Sequence, residues 1–344
     1  MTRAEDLVDP GNPVSWNNGY GLWLLACLVP AAGIALFLLK VYVLATVGRC
    51  TSTRDMSGKT VVITGANAGI GKETAKDLAR RNARVILACR NQDKARLAAR
   101  DILSDTGKQV VCMQLDLCSL KSVRRFAKDI LEREDRLDVL INNAGIMPPV
   151  QRVETEDGFE STFQANHLGP FLLTHLLLDL LKRSAPSRVV MLTSVGQWFG
   201  SVDWDNLDFR HYKQERIYCN TKLYNTLYTV ELARRLANTG VTANCCHPGF
   251  VKTELASHSS DLHTKFTDIL IQNFGKSPEE GAQTTVHLAV SEDVEHVTGR
   301  YFADCRPSVA PRWALDPVSA KRLWDVSEEM LGLTGQPPSS LPAC

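Results

Sequence analysis

"TVVITGANAGIGKETA", from Thr60 to Ala75, joins an apolar run to a stretch of helical composition through three closely spaced glycines. Val61, Val62 and Ile63 are β-branched with no polar residue between them, which suits a strand buried on both faces. Gly65, Gly69 and Gly71 then allow a tight turn and a close backbone approach to a pyrophosphate. A helix that begins there aims the positive end of its dipole at the same point. The spacing is Gly-x-x-x-Gly-x-Gly rather than Gly-x-Gly-x-x-Gly. Its place at the first strand–helix junction makes it a candidate dinucleotide-binding turn.

The same alternation continues along the chain. "RVILACR", "VVCMQLD", "LDVLINNAG", "SRVVMLTS", "VTANCCHPG" and "GRYFAD" read as buried strands. Between most of them lie longer amphipathic stretches, such as Lys72 to Arg81, Asp93 to Leu103 and Leu120 to Glu134. This pattern predicts one α/β domain over residues 57–333, a doubly wound parallel sheet of the Rossmann type. An NAD-binding chain would place Asp or Glu at the end of the second strand, on the ribose 2′-hydroxyl. Here that strand ends "LACR", and Arg90 stands where the acid would be. A guanidinium there suits a 2′-phosphate and predicts NADP(H).

Composition excludes several other classes. Net charge is +1 in 344 residues, with acids and bases interspersed, so no basic stripe for nucleic acid exists. Ten cysteines are scattered without a Cys-x-x-Cys or a zinc spacing, and they read as free thiols. "CCH" at Cys245 to His247 falls in a strand-like run, where neighbours point to opposite faces and do not converge on a metal.

The start of the chain differs from the rest. Tyr20 to Leu39 is a 20-residue stretch without a charge, and apolar character resumes after Lys40. At about 1.5 Å per residue it would span about 30 Å, the thickness of a bilayer core. Glu5, Asp6 and Asp9 outweigh Arg3 ahead of it, unlike the basic start of a signal peptide. Residues 1–19 are therefore read as an N-terminal segment and 20–47 as a single-pass transmembrane helix, in which Pro30 is tolerable. Lys40, Arg49, Arg54 and Lys59 follow it, which places the C-terminal part of the chain in the cytosol. The Pro/Ser-rich tail, 334–344, is expected to be disordered, and its terminal Cys344 does not form a prenylation signal.

In "RIYCNTKLYNTLY", Arg216 to Tyr228, Tyr218 and Lys222 stand four apart, on one face of an expected helix. A phenol beside an ammonium suits proton transfer to or from a reacting oxygen, because the cation stabilises the phenolate. His167 and His175 sit on an apolar helical run and read as packing residues, as do Tyr224 and Tyr228. Leu255, Leu262, Phe266, Ile269, Leu270 and Phe274 form one apolar helical stripe, either a helix packed on the core or a lid over a substrate pocket.

These features, in this order, resemble the short-chain dehydrogenase/reductase family: "TGANAGIG", "LDL" around Asp116, "NNAG" at Asn142 to Gly145, "LTSVG" around Ser194, "YCNTK", and "HPG" followed by Thr253. The likeness spans residues 57–333. Within the family, "ACRNQDKA", "ANHLGPFLLTHLLL", "APSRVV" and "GRYFADC" are similar to membrane-anchored retinol dehydrogenases and their dehydrogenase/reductase relatives. The resemblance implies a catalytic tetrad of Asn166, Ser194, Tyr218 and Lys222. It implies cofactor contacts from Gly65, Asn67, Gly69, Ile70, Gly71, Arg90, Asp116, Asn143, Ala144, Gly145, Tyr218, Lys222, Pro248, Gly249 and Thr253. NADP-choosing members often carry a basic residue just before the second glycine, where this chain has Ala68.

The implied reaction interconverts a lipophilic alcohol and its carbonyl, retinol and retinal first. A steroid or a fatty aldehyde would be served by the same chemistry. A catalytically idle scaffold would show a broken tetrad, and all four residues are present. Sugar-nucleotide epimerases share the Tyr-x-x-x-Lys pair but space their glycines differently. The implied setting is the membrane of the endoplasmic reticulum, with bilayer lipid and a lipophilic small molecule as partners and a homo-oligomer left open.

Overall fold

The computed structural model describes residues 47–252, Gln272, Asn273, residues 275–334 and scattered positions between 27 and 45. The chain divides into two compact units, Met1–Ala45 and Thr46–Cys344. In the first unit the described positions are helical, and Leu28, Ile34, Phe37, Leu38 and Val41 are exposed. Among the described residues no helix is long and apolar enough to cross a membrane; much of the stretch read as an anchor lies outside them. Thr253, the six residues of the apolar stripe and residues 335–344 also lie outside the described residues.

In the second unit every apolar run forms a strand: β1 (Thr60–Thr64), β2 (Arg84–Cys89), β3 (Val111–Gln114), β4 (Val139–Asn142), β5 (Ser187–Leu192), β6 (Val241–His247) and β7 (Tyr301–Ala303). A short β8 (Arg306–Pro307) follows. The sheet order is β3-β2-β1-β4-β5-β6-β7-β8, parallel throughout except for the final hairpin. Side chains alternate across it, as a strand requires. Val61 and Ile63 join one apolar core, and Val62 joins the other. Cys245 and Cys246 likewise separate to opposite faces.

Helices cover both faces: α1 (Gly69–Arg80), α2 (Gln92–Thr106), α3 (Leu120–Arg133), α4 (Gly169–Arg183), α5 (Gln214–Arg235), α6 (Pro278–Val290) and α7 (Pro317–Met330). The cores show which helices share a face. Leu78, Ile102 and Val286 of α1, α2 and α6 pack with Ile63. Phe126, Leu172, Tyr224 and Trp324 of α3, α4, α5 and α7 pack with Val62. The helix starts follow the sequence: the side chains of Asn91 and Ser119 accept backbone N–H bonds, and Ser277 with Glu280 forms a reciprocal capping box.

At the N-terminal edge of the sheet, the buried Asp138 joins several segments. Its carboxylate accepts two bonds from Arg136, at 2.6 and 2.7 Å, one from Lys59 at 2.9 Å and one from the Thr60 N–H at 2.9 Å. Burial works to raise its pKa, but Arg136, Thr60 and Lys59 together hold it below the usual carboxylate value. Its contribution is therefore present above about pH 4 and is lost as pH falls through the depressed folded-state pKa. Asp138→Asn should cost about 2 kcal/mol at pH 7. The gap to the parent should close on acidification, as read by urea unfolding of a fragment that begins at residue 46; an equal gap at pH 7 and pH 3 would refute this account.

Candidate active site

The sheet connection reverses between β1 and β4. Their ladder pairs Val61 with Val139 through Ile63 with Ile141 and then stops, whereas β1 stays paired with β2 to Thr64. Side chains continue where the ladder ends. Thr64 Oγ1 accepts from Asn143 N at 3.0 Å and Ala144 N at 2.9 Å, and Asn143 Nδ2 donates to the Thr64 carbonyl at 2.7 Å. Just beyond this clamp a crevice opens at the carboxyl ends of the strands, where open α/β sheets hold ligands.

The glycine turn forms one wall. Gly65 and Gly69 adopt positive φ, 67° and 54°. A side chain on Gly71 would meet Asn143 Nδ2 at 2.5 Å and the Gly65 carbonyl at 2.7 Å. Helix α1 starts at Gly69 with no side-chain cap and no acid in its first turn, so its N–H groups can receive an anion. Ile70 packs towards Gly281 of α6, and Asn67 is partly buried in the turn. Arg90 is exposed immediately after β2. With Cys118, Ile146, Met147 and Pro148 it bounds a cavity of about 530 Å³. Asp116, after β3, accepts the Cys118 N–H at 2.9 Å, which leaves its second carboxylate oxygen for another partner. No acid stands at the end of β2, where Arg90 is the charged group, and the glycine turn with the open helix N-terminus fits a dinucleotide.

The other wall carries the predicted tetrad, and the structure brings all four residues together. Helix α5 places Tyr218 and Lys222 one turn apart, with the Lys222 Nζ 5.5 Å from the Tyr218 ring centroid. Lys222 is buried, and its ammonium donates to the Leu192 carbonyl at 3.2 Å. Ser194 follows β5 and begins a 3-10 turn. A methyl group on Gly196 would lie 3.5 Å from Ser194 Oγ and 3.6 Å from Tyr218 Cε1, so the two side chains face one space.

Asn166 lies in a π-helical turn, Gln164–Leu168, directly before α4. Such a turn inserts one residue and re-aims a side chain. Asn166 thereby pairs with Ile146, accepting its N–H at 2.8 Å and donating to its carbonyl at 3.0 Å, and also donates to Thr221 Oγ1 at 3.2 Å. Gly145 keeps this approach open: a side chain on it would sit 3.2 Å from Lys222 Nζ and 3.5 Å from Asn166 Oδ1.

Beyond β6, Gly249 has φ 93° and Pro248 is partly buried. His247 accepts the Val195 N–H on Nδ1 at 3.2 Å and so fixes the start of the turn that follows Ser194. His167 is elsewhere, packed among Phe163, Phe171, Tyr224 and Tyr228 and bonded to Ser327. Residue patterns alone did not single out Thr64 or Thr221. The signal for Thr64 was available, as a hydroxyl on the last strand residue before the first glycine.

A model of the short chain dehydrogenase family matches residues 59–263. The chain belongs to that family. It is 49% identical over 289 residues to retinol dehydrogenase 11 of Homo sapiens, covering 83% of this chain and 90% of that protein. Retinol dehydrogenase 13 of Homo sapiens is 46% identical over 316 residues, covering 90% and 94%. Among solved structures, one of an uncharacterized protein from Mycobacterium paratuberculosis matches with a TM-score of 0.67 at 36% identity, covering 83% of this chain and 97% of that one. A short chain dehydrogenase from Shigella flexneri, complexed with NADP, matches with a TM-score of 0.59 at 26% identity, covering 74% and 100%. The chain is thus an oxidoreductase with a Rossmann-type fold.

Burial moves the two central groups in opposite directions. Burial raises the Tyr218 phenol to about 12, against the hydrogen bond from Ser194. Burial also lowers the Lys222 ammonium to about 8. In the unfolded chain a lysine titrates near pH 10.4, so the charged Lys222 destabilises the empty fold at neutral pH. Fold stability should rise as pH passes from about 8 to about 10.4 and the folded lysine sheds its proton first. Lys222→Met should therefore raise the thermal midpoint of cofactor-free protein at pH 7, by about 1–2 kcal/mol of stability, with the advantage fading by pH 10.5. A variant less stable than the parent at pH 7 would contradict this reading.

Proposed function

We propose that this enzyme interconverts retinol and retinal with NADP(H), and that it does so at a membrane. The observation that carries the proposal is the grouping of Tyr218, Ser194, Lys222 and Asn166 around the loop after β4, whose Ala144 also packs against Gly65 of the glycine turn. NADP(H) bound along that crevice would supply or take the hydride. Gly65, Asn67, Gly69, Ile70 and Gly71 would cradle its phosphates, and Arg90 would take the 2′-phosphate. Asp116 would lie near the adenine and Asn143, Ala144 and Gly145 would line the cofactor, with Pro248 and Gly249 at its nicotinamide end; Thr253, the remaining contact that the resemblance implies, lies outside the described residues.

For carbonyl reduction, Tyr218 donates its phenolic proton to the oxygen that becomes the alcohol. Ser194 donates a hydrogen bond to the same oxygen as charge develops on it. Lys222 keeps its charge beside the ring, favours the phenolate left behind and can bind the nicotinamide ribose. Asn166 holds the loop after β4 against α5, which fixes the distance between the two walls. In alcohol oxidation the same proton returns to Tyr218.

The retinoid substrate is supported by the two relatives named retinol dehydrogenase, which align over most of their length. Residues 20–47 act in this proposal as the membrane anchor, with the catalytic domain in the cytosol and the endoplasmic reticulum as the membrane. The exposed apolar side chains of Leu28, Ile34, Phe37, Leu38 and Val41 support it, since lipid would cover them.

Turnover of retinal, a steroid ketone and a fatty aldehyde, each with NADPH and NADH, tests the function directly; no turnover with any pair would sink it. Tyr218→Phe should lower kcat by about 10²–10⁴-fold while NADPH still binds. Arg90→Asp should weaken NADPH by roughly 10–100-fold and favour NADH, because a carboxylate repels the 2′-phosphate and accepts the 2′-hydroxyl. Unchanged NADPH affinity in that variant would exclude Arg90 as the discriminator. The full chain should resist extraction from membranes by alkaline carbonate, and its release would refute the anchor.

A further inference from the structure

Two residues outside every role assigned so far meet behind the turn after β6. Lys276, just ahead of α6, is buried, and its ammonium forms an ion pair with the Asp304 carboxylate. Its aliphatic stem lies across Gly249: a side chain there would meet Lys276 Cδ, Cε and Nζ, each at 2.8 Å. The backbones are joined as well. Lys276 N donates to the Phe250 carbonyl at 2.8 Å, and Lys252 N donates to the Lys276 carbonyl at 3.0 Å. The capping box of Ser277 and Glu280 follows at once and fixes the start of α6. Lys276 is therefore held on both sides of its side chain and cannot leave the turn without breaking a ladder.

Asp304 is held as firmly, in an unusual way. Asp304 and Cys305 form the two-residue turn between β7 and β8, with φ 51° and 57°. Such a turn favours Asn-Gly or Asp-Gly, since both central residues take positive φ. Cysteine in place of glycine strains it by roughly 1 kcal/mol or more. The Cys305 N–H donates to Thr284 Oγ1 of α6 at 3.2 Å, which holds the turn down. Gly48 N donates to Asp304 Oδ1 at 3.4 Å, and any side chain on Gly48 would run into the Asp304 carbonyl. The Cys50 N–H bonds Gln283 Oε1 of α6 at 3.1 Å. A strap formed by Gly48 to Cys50 thus closes over the hairpin from the N-terminal side.

We propose that the Lys276–Asp304 ion pair is a positioning clamp that sets the Pro248–Phe250 turn and, through it, the nicotinamide half of the cofactor. The clamp rests on the functional reading above, in which that turn borders the nicotinamide. Neither residue touches the reacting atoms. Lys276 acts by propping Gly249 from behind, and Asp304 acts by fixing where the ammonium sits. The pair also lies beside His247, whose neutral ring accepts the N–H of the residue after Ser194. One ion pair thereby supports the nicotinamide side and the Ser194 side together.

A cofactor fragment separates positioning from general stability. 2′,5′-ADP carries only the adenosine half and in this reading depends on the glycine turn and Arg90, without the nicotinamide that the turn at Gly249 would border. The full chain in detergent is titrated with NADPH, NADH and 2′,5′-ADP, together with Lys276→Met, Lys276→Arg and Asp304→Asn. Asparagine tolerates the left-handed backbone, so Asp304→Asn removes charge and keeps the hairpin. Lys276→Met and Asp304→Asn should weaken NADPH by about tenfold or more, with a lower kcat, while 2′,5′-ADP affinity stays within about twofold of the parent. Lys276→Arg should recover most of the loss. Equal losses for NADPH and 2′,5′-ADP, or unchanged NADPH binding in Lys276→Met, would overturn the clamp. A parent that binds neither dinucleotide would overturn the functional reading and the clamp with it. A parent that binds NADH instead leaves the clamp to be judged by the NADH losses in the same variants.

Discussion

The hydrogen bonds between Thr64 and Asn143 govern the site because they lie where the sheet stops holding itself together. Strands β1 and β4 are neighbours in space but not in sequence, and the chain leaves them towards opposite faces. Their backbone pairing ends at Ile63 and Ile141. Without further bonds the two carboxyl ends would splay, and the crevice would have no fixed width. The Thr64 hydroxyl accepts two N–H groups from the β4 side, and the Asn143 amide reaches back to β1. Gly71 and Gly65 then pack against Asn143 and Ala144, where a Cβ would not fit. The glycine turn and the "NNAG" segment are therefore one structural unit, and the need for small residues on one side follows from the amide on the other.

Legibility in the sequence followed the range of the interactions. The seven strands were plain, because apolar runs with helices between them leave a local pattern, although β3, at the edge of the sheet, is only partly buried. Helix α1 begins at Gly69, three residues earlier than the charged stretch from Lys72, because the glycine turn already has helical geometry at its end. Helix α5 runs from Gln214 to Arg235 and buries most of one long flank, although the Tyr–Lys pair on it could have sat on a surface helix. The tetrad positions came from family likeness, and the structure adds how they converge. Asn166 needed a π-helical turn to reach Ile146, and nothing in "QANHLGP" states that turn. Thr221, Lys276 and Asp304 were silent for the same reason: their partners lie far away in sequence, at separations of 28 residues for Lys276–Asp304 and 55 for Asn166–Thr221.

The buried ammonium shows where function and stability part. A lysine enclosed by protein, with the Leu192 carbonyl as its direct acceptor, loses more hydration than that bond returns. The surrounding apolar core, with Tyr224, Phe163 and Phe171 fully buried on the same face, supplies stability elsewhere in the fold to carry the strain. Gly145 marks the same compromise. Its missing side chain leaves room for Lys222 and Asn166 to approach one loop.

The opposite pKa shifts of Tyr218 and Lys222 also set an order for the reaction proposed here. With the phenol near 12 and the ammonium near 8, rising pH removes the lysine proton first. The empty site therefore rests as a neutral phenol beside a lysine that is charged at neutral pH, and it does not hold a phenolate. That resting state is ready for carbonyl reduction, in which the phenol gives up its proton as negative charge builds on the substrate oxygen. Alcohol oxidation needs the reverse, a phenolate able to receive a proton. Burial opposes it, and the Ser194 hydrogen bond recovers only part of the cost, because the phenol still lies well above its ordinary value. A positive charge beside Tyr218 would serve both directions, because reduction leaves behind the phenolate from which oxidation starts. The opposite shifts of the two groups come from desolvation of both side chains.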